Sequence, residues 1–273
     1  IAITTLGTNI LRFTMPLAAT SSDLTSKFSG IINILNLVGL VLAFAPNGPA
    51  ALMYIDDSRG RRLIGRKAGL TSHAKMKQMG VETPCFGFLA DYFSLPEGGE
   101  AKVSEMIHPK VEPEIAFVTK AALRGPGCHI GAVLAATDFV LPAIEIIDSR
   151  IEQFDRHTKV MRKVFDTISD NAANAGIVLG GHRVAPRSVD LPWCGAILRQ
   201  NGAVEETGLA AGVQGHPAIG VAWLAMKLAP WGECLEAGEI VLAGSFTRPV
   251  AGKRGDRFDA DYGPLGRFEF QFV

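Results

Sequence analysis

The sequence has no net charge, no cysteine pair at ligand spacing, no glycine-rich phosphate loop and almost no charge over its first fifth. Its 27 basic and 27 acidic residues cancel. That removes the broad basic surface a nucleic acid or an anionic membrane would need, leaving only local patches. The four cysteines, Cys85, Cys128, Cys194 and Cys234, lie 43, 66 and 40 residues apart. No C-x-x-C pair is present for zinc or dithiol chemistry, and the usage fits a reduced, cytoplasmic enzyme. Neither G-x-x-x-x-G-K nor G-x-G-x-x-G occurs, and no internal repeat is visible. His108, His129, His157 and His216 show no ligand spacing, and His216 beside Pro217 reads as structural.

The 273 residues, 48% hydrophobic, suffice for one large domain or a domain with a small appendage. The first 55 carry only Arg12, Asp23 and Lys27 as charged residues. Within them, 31–45 is a mostly apolar run broken by Asn33 and Asn36. A span wants roughly 20 apolar residues, and a secretory leader wants a basic start. A buried helix or an atypical start fits better than a membrane anchor, and the missing initiator Met suggests a truncated or processed beginning.

What is present in abundance is acidic chemistry in two apolar strands. Glu112 and Glu114 sit two apart in V-E-P-E-I-A-F-V, so a strand points both to one face. Glu145 is a lone carboxylate in the apolar part of a second run, 139–150, which ends in Asp148-Ser149-Arg150. A buried carboxylate must be paired, protonated or bound to a cation. Three of them suit a hard divalent ion such as Mg²⁺ or Mn²⁺. The alternative is that Lys67 or Arg150 neutralises them. Lys67 lies between Gly65 and Gly69, which permit close backbone approach; elsewhere a lysine is usually a solvated surface group. Asp91 closes an aromatic strand and is either a base or a turn residue.

The remaining pattern is read element by element. Residues 73–80 form a helix capped by Ser72 and Gly80. Residues 130–137 form another helix, and 155–164 a polar surface insertion. The stretch 165–176 is either a ligand-binding polar loop or a helix cap. Asn201-Gly202 turns a hairpin, and 217–228 is a helix with Pro at its start and Trp223 and Met226 in the core. Strands close the chain at 257–262 and 267–273.

Five blocks then resemble the hydratase/decarboxylase branch of the fumarylacetoacetate hydrolase superfamily. They are G-R-K-A-G-L-T-S (65–72), H-P-K-V-E-P-E-I-A-F-V (108–118), L-P-A-I-E-I-I-D-S-R (141–150), S-D-N-A-A-N-A-G (169–176) and L-A-G-S-F-T-R-P (242–249). The resemblance covers about 59–273, the expected catalytic domain, and leaves 1–58 as an atypical N-terminal segment. It implies an α+β fold with a mixed β-roll or sandwich core and peripheral helices. It implies a Mg²⁺ or Mn²⁺ cofactor on Glu112, Glu114 and Glu145, and Lys67 and Asp91 as catalytic residues. Thr71, Ser72, Ser169, Asn171, Ser245 and Arg248 become candidate substrate contacts, Arg248 because its planar fork suits a distal carboxylate, the alternative being a surface salt bridge. A lysine near a metal and other cations is expected to have a lowered pKa, which would let Lys67 stabilise an enolate or shuttle a proton. Pro113, where many relatives have Ala, removes a backbone donor that a strand edge or bulge tolerates.

Within the branch, residues 67–150 look like 4-oxalocrotonate decarboxylases, and residues 162–273 look like hydratases of a seven-carbon dioate. The second stretch is longer and more continuous, so the expected reaction is hydration of 2-oxohept-4-ene-1,7-dioate in meta-cleavage degradation of aromatics. The alternatives are 4-oxalocrotonate decarboxylation, hydration of 2-hydroxypenta-2,4-dienoate and, more remotely, acylpyruvate C–C hydrolysis. The expected partner is a small 2-oxo or 2-hydroxy dienoate, with no nucleic acid and no membrane, in a homo-oligomer.

Overall fold

The computed structural model describes residues 62–155 and 157–273. The expectations for 1–58, including the apolar run 31–45, lie outside the described residues. The chain order begins β1 (Leu63–Gly69), α1 (His73–Met79), β2 (Cys85–Ala90), β3 (Ser94–Leu95) and β4 (Glu100–Ala101). It continues through β5 (Lys110–Thr119), α2 (Ile130–Ala136), β6 (Thr137–Ile147), α3 (Val164–Ser169) and β7 (Asn174–Leu179). The last third holds β8 (Gly195–Gln200), β9 (Ala203–Leu209), α4 (Pro217–Leu228), β10 (Ile240–Leu242), β11 (Val250–Ala251), β12 (Arg257–Asp261) and β13 (Arg267–Phe272).

These strands make two sheets, which with the helices give the expected α+β architecture. The mixed sheet runs β2-β1-β10-β5-β6-β7-β3, with β11 also on β5; the smaller runs β4-β13-β12-β8-β9. Period-2 alternation sorts β5 into two faces. Val111, Ile115 and Phe117 join Val140, Ile144 and Ile146 of β6 in a core completed by Phe258, Phe268, Phe270 and Phe272 of the smaller sheet. Each such large side chain contributes roughly 1.5–3 kcal/mol on burial. Glu112, Glu114 and Ala116 take the other face, with Leu141, Ala143 and Glu145 of β6 opposite them. There a second, smaller cluster of Leu89, Ala116, Leu141, Ala143, Ile177 and Leu242 is buried. The mixed sheet therefore curls around this second face, which is polar at one end and apolar beyond.

Local chemistry sets the element ends. Ser72 Oγ accepts from the Lys75 N–H at 3.1 Å, and Gly80, at φ 64, ends α1. Asn201 (φ 55) and Gly202 (φ 86) form the turn between β8 and β9. Pro217 opens α4, and the His216 ring accepts from the Ala218 N–H. α4 buries Ala218, Val221, Ala222 and Ala225, so Met226, expected in the core, is 41% exposed instead; Trp223 packs partly buried on the core. No helix among the described residues is long and apolar enough to cross a membrane.

Pro113 lies in a central strand, not at an edge. On one flank β5 pairs with β10 only at 116–118 and with β11 only at 110–111. The Glu114 N–H points to the opposite flank, so by alternation the Pro113 nitrogen faces the interrupted one. There neither β10 nor β11 pairs with β5 at Pro113. On the β6 side, Tyr262 enters the ladder: Glu114 N–H donates to its hydroxyl, which donates to the Ala143 carbonyl. Tyr262→Phe strips both backbone groups of their bridge at a buried rung. Equilibrium denaturation is expected to show a loss of about 1–3 kcal/mol, or a few °C in Tm. An unchanged midpoint would mean that the two strands close the gap directly.

Candidate metal centre and active site

The site grows from the register of β5 and β6. Glu112 stands opposite Glu145, and Glu114 opposite Ala143, so all three carboxylates share one face. Cβ atoms so paired are about 5 Å apart. Glu114 and Glu145 are each 1% exposed and Glu112 is 7% exposed. Each is held by one oxygen. Glu145 Oε1 accepts from Lys67 Nζ at 2.9 Å and from Asn174 Nδ2 at 2.8 Å. Glu112 Oε1 pairs with Lys75 at 2.5 Å, and Glu114 Oε2 accepts the Gly244 N–H at 2.8 Å.

The carboxylates share a face, but no three acidic, His or Cys side chains among the described residues already form a metal-sized cluster. Like charges repel, and each carboxylate is turned onto its own donor. Burial, then the charges of Glu145 and Glu112, push the Glu114 carboxyl well above its usual range. Three carboxylates face two ammonium groups here, so the donor set carries surplus negative charge and hard oxygen ligands. That chemistry fits a divalent cation after side-chain rotation.

Lys67 reaches this face from β1. Gly65 allows it, since a Cβ there would stand 1.8 Å from the Ile240 carbonyl oxygen of β10. Lys67 Nζ also donates to the Ala172 carbonyl at 2.7 Å. Among the protein's own groups its pKa is raised: burial alone would lower it, but the charge and hydrogen bond of Glu145, with Cys85 and Glu114, outweigh burial. Lys67 Nζ is thus placed as a donor to Glu145 and Ala172. Of the two proposed neutralising cations Lys67 does pair with Glu145, whereas Arg150 is spent on Asp170.

The polar candidates divide sharply. Thr71 is buried with its hydroxyl against Gly244, beside the Glu114 anchor. Ser245 is buried too, but its hydroxyl closes a local turn with Thr247. Ser72 caps α1, and Ser169 Oγ donates back to the Asp166 carbonyl. Asn171 is spent on β2, accepting from the Phe88 N–H at 2.7 Å and donating to the Phe88 carbonyl at 3.0 Å. Those three make their side-chain hydrogen bonds to backbone. Arg248 is 84% exposed at its side chain and paired with Glu206, so it is a surface ion pair. Asp91 heads a short 3₁₀ turn beside Arg62. It follows Gly87, the residue opposite Lys67, by four positions, roughly 13 Å along a strand. Asp91 thus lies at the end of β2, set apart from Lys67 along the strand.

Four groups in this site escaped the sequence reading. Lys75 looks like a helix-surface lysine until α1 is seen over Glu112. Asn174 and the Gly244 N–H become ligands of carboxylates only through strand pairing. Cys85 lies beside Lys67, its thiol pushed up first by burial; the four cysteines are free.

No protein-family model matches the chain. It is 50% identical over 216 residues to 2-oxo-hept-4-ene-1,7-dioate hydratase of Escherichia coli, covering 79% of this chain and 81% of that protein. It is 48% identical over 220 residues to 4-oxalocrotonate decarboxylase of Pseudomonas sp. (strain CF600), covering 80% of each. The solved 4-oxalocrotonate decarboxylase from Pseudomonas putida G7, complexed with magnesium and adipate, superposes with a TM-score of 0.78 at 38% identity, covering 100% of this chain and 97% of that one. Fumarylpyruvate hydrolase from Pseudomonas aeruginosa, in complex with Mn²⁺ and pyruvate, shares the fold at 17% identity, with a TM-score of 0.57 over 76% of this chain and 88% of that one.

The electrostatics give two substitutions of opposite sign. Glu114→Gln keeps the acceptor for Gly244 and removes a crowded charge, so Tm in excess chelator is expected to rise. Glu145→Gln leaves Lys67 a buried, unpaired cation and is expected to lose about 3–5 kcal/mol. Scanning fluorimetry in chelator reads both; a fall in Tm for Glu114→Gln would contradict the crowding.

Proposed function

The chain belongs to the hydratase/decarboxylase branch of the fumarylacetoacetate hydrolase superfamily, and on that premise we propose that it hydrates 2-oxohept-4-ene-1,7-dioate to 4-hydroxy-2-oxoheptanedioate. The observation that carries the reading is one sheet face bearing three carboxylates with a charged lysine against one of them, in a chain 50% identical to a hydratase of that dioate. Glu112, Glu114 and Glu145 would hold the divalent cation, which we assign as Mg²⁺ with Mn²⁺ the alternative. When bound, it supplies Lewis-acid stabilisation of negative charge developing on the substrate's 2-oxo oxygen.

The protein's own groups supply the rest. Lys67 holds a proton, and an ammonium facing the enolate would stabilise it and return a proton during tautomerisation. Lys75 and Asn174 hold Glu112 and Glu145 in place. The buried Leu89, Leu242 and Ile177 close one end of the face to water. A second reading, decarboxylation of 4-oxalocrotonate, draws on the 48% identity to a decarboxylase and on the TM-score of 0.78. It needs the same electron sink and differs in whether CO₂ leaves or water adds.

Turnover of the dioate, 2-hydroxypenta-2,4-dienoate and 4-oxalocrotonate with Mg²⁺ separates the readings. Hydration of the dioate is expected to lead; CO₂ release from 4-oxalocrotonate at an equal or higher rate would make the decarboxylase reading correct. Lys67→Met is expected to lower kcat by on the order of 10²–10⁴ while Mg²⁺ affinity is retained. Loss of metal binding alone would remove its catalytic role. Arg248→Ala, at an exposed ion pair, is expected to leave kcat/KM for dioate and pentadienoate within about twofold. A selective loss on the dioate would return Arg248 to the substrate.

A further inference from the structure

The residues between α3 and β7 hold an unusual backbone. Asn171, Ala172 and Ala173 have φ of 53°, 49° and 61°, three consecutive left-handed residues without a glycine among them. L-residues with a Cβ avoid this region, and a run of three persists only where the surroundings impose it. Two features impose it here. The Asn171 side chain is clamped at both ends to the Phe88 backbone of β2. Gly87, the neighbour of Phe88, lies so close that a Cβ on it would meet the Asn171 carbonyl oxygen at 2.5 Å.

The product of this strain is one aimed carbonyl. Ala172, in the middle of the run, accepts from Lys67 Nζ at 2.7 Å, and Gly87 is the residue opposite Lys67 in the β1–β2 ladder. An ammonium has three hydrogens. Ala172 takes one and Glu145 a second, at 2.9 Å. Two fixed acceptors set the direction of the third.

We propose that the Asn171–Ala172–Ala173 turn is a positioning device for Lys67, and that Asn171 and Gly87 are positioning residues that hold the turn so that one Lys67 N–H faces the substrate. This rests on Lys67 being the group that faces substrate in the proposed reaction. A lysine on four rotatable carbons is otherwise loosely aimed, and a misplacement of about 1 Å can cost 10²-fold in rate.

The test uses Asn171→Ala in the full chain, which removes both hydrogen bonds to Phe88 and leaves Lys67, Glu145 and the two alanines in place. The expected result is a kcat lower by 10- to 100-fold, with KM and calorimetric Mg²⁺ affinity within twofold. Gly87→Ala, which pushes the turn away from β2, is expected to lower kcat in the same way. Ala172→Gly/Ala173→Gly relieves the backbone strain but keeps the clamp, and is expected to hold kcat within about twofold. Unchanged kcat in both Asn171→Ala and Gly87→Ala, or a loss of Mg²⁺ affinity in step with kcat, would overturn the proposal. Lys67→Met run alongside separates the two ideas. If it retains activity, the reading of Lys67 fails; if it is inactive while Asn171→Ala is fully active, the positioning role alone fails.

Discussion

The contact on which the rest of this structure depends is the buried pair of Lys67 and Glu145, 3% and 1% exposed at their side chains. Taking two charges out of water costs several kcal/mol per ion, recovered only with close geometry and further hydrogen bonds. The strands that carry them are not neighbours. β10 and β5 lie between β1 and β6, three strand spacings or about 14 Å across a flat sheet. Strand side chains stand roughly perpendicular to their sheet, so the 2.9 Å contact fits a sheet that curls. Gly65 permits close approach of β10, and the Asn171 amide ties the segment before β7 back to β2, joining the two ends of the curled sheet. The same curl covers Leu89, Leu242 and Ile177, whose burial in turn keeps water from the pair. Fold and site are thus one arrangement, and the strain at 171–173 sits where that arrangement closes.

What could be read along the chain was whatever depends on parity. The two-residue spacing of Glu112 and Glu114 and the isolation of Glu145 in an apolar run both concern one strand at a time, and strand geometry alone decides them. The same holds for α1 with its Ser72 and Gly80 ends and for the Asn201-Gly202 hairpin. What could not be read was partnership. Ser72, Ser169 and Asn171 are polar residues inside family blocks, which marks them as hydrogen-bonding but not to what. Each proved to satisfy backbone, which is where most side-chain hydrogen bonds go. Arg248 has the fork for a carboxylate and found one on Glu206. That Glu145 offsets the burial of Lys67 was hidden because the two lie 78 positions apart. Pro113 and Tyr262 show the same limit: the missing donor was visible, but the interrupted flank of β5 and the hydroxyl bridging to β6 arise only from long-range pairing.

Charge balance then bears on what the face can bind. Its three carboxylates meet the ammonium groups of Lys67 and Lys75, which leaves an excess of one negative charge, part of it relieved by the raised carboxyl of Glu114. Such a face repels an anionic ligand, and a buried setting amplifies the repulsion because little water screens it. A substrate of the proposed kind carries two carboxylates. It can approach only if the excess is reversed, and a divalent cation reverses it by turning one surplus negative charge into one surplus positive charge. A monovalent ion would merely cancel it. The arrangement also explains why the lysines do not substitute for the metal. Each is already committed to one carboxylate by geometry, and a second charge on the same oxygen pair is what the site lacks. On this view the two lysines keep the acidic face folded, and the carboxylate oxygens they leave uncovered are the part of it open to function.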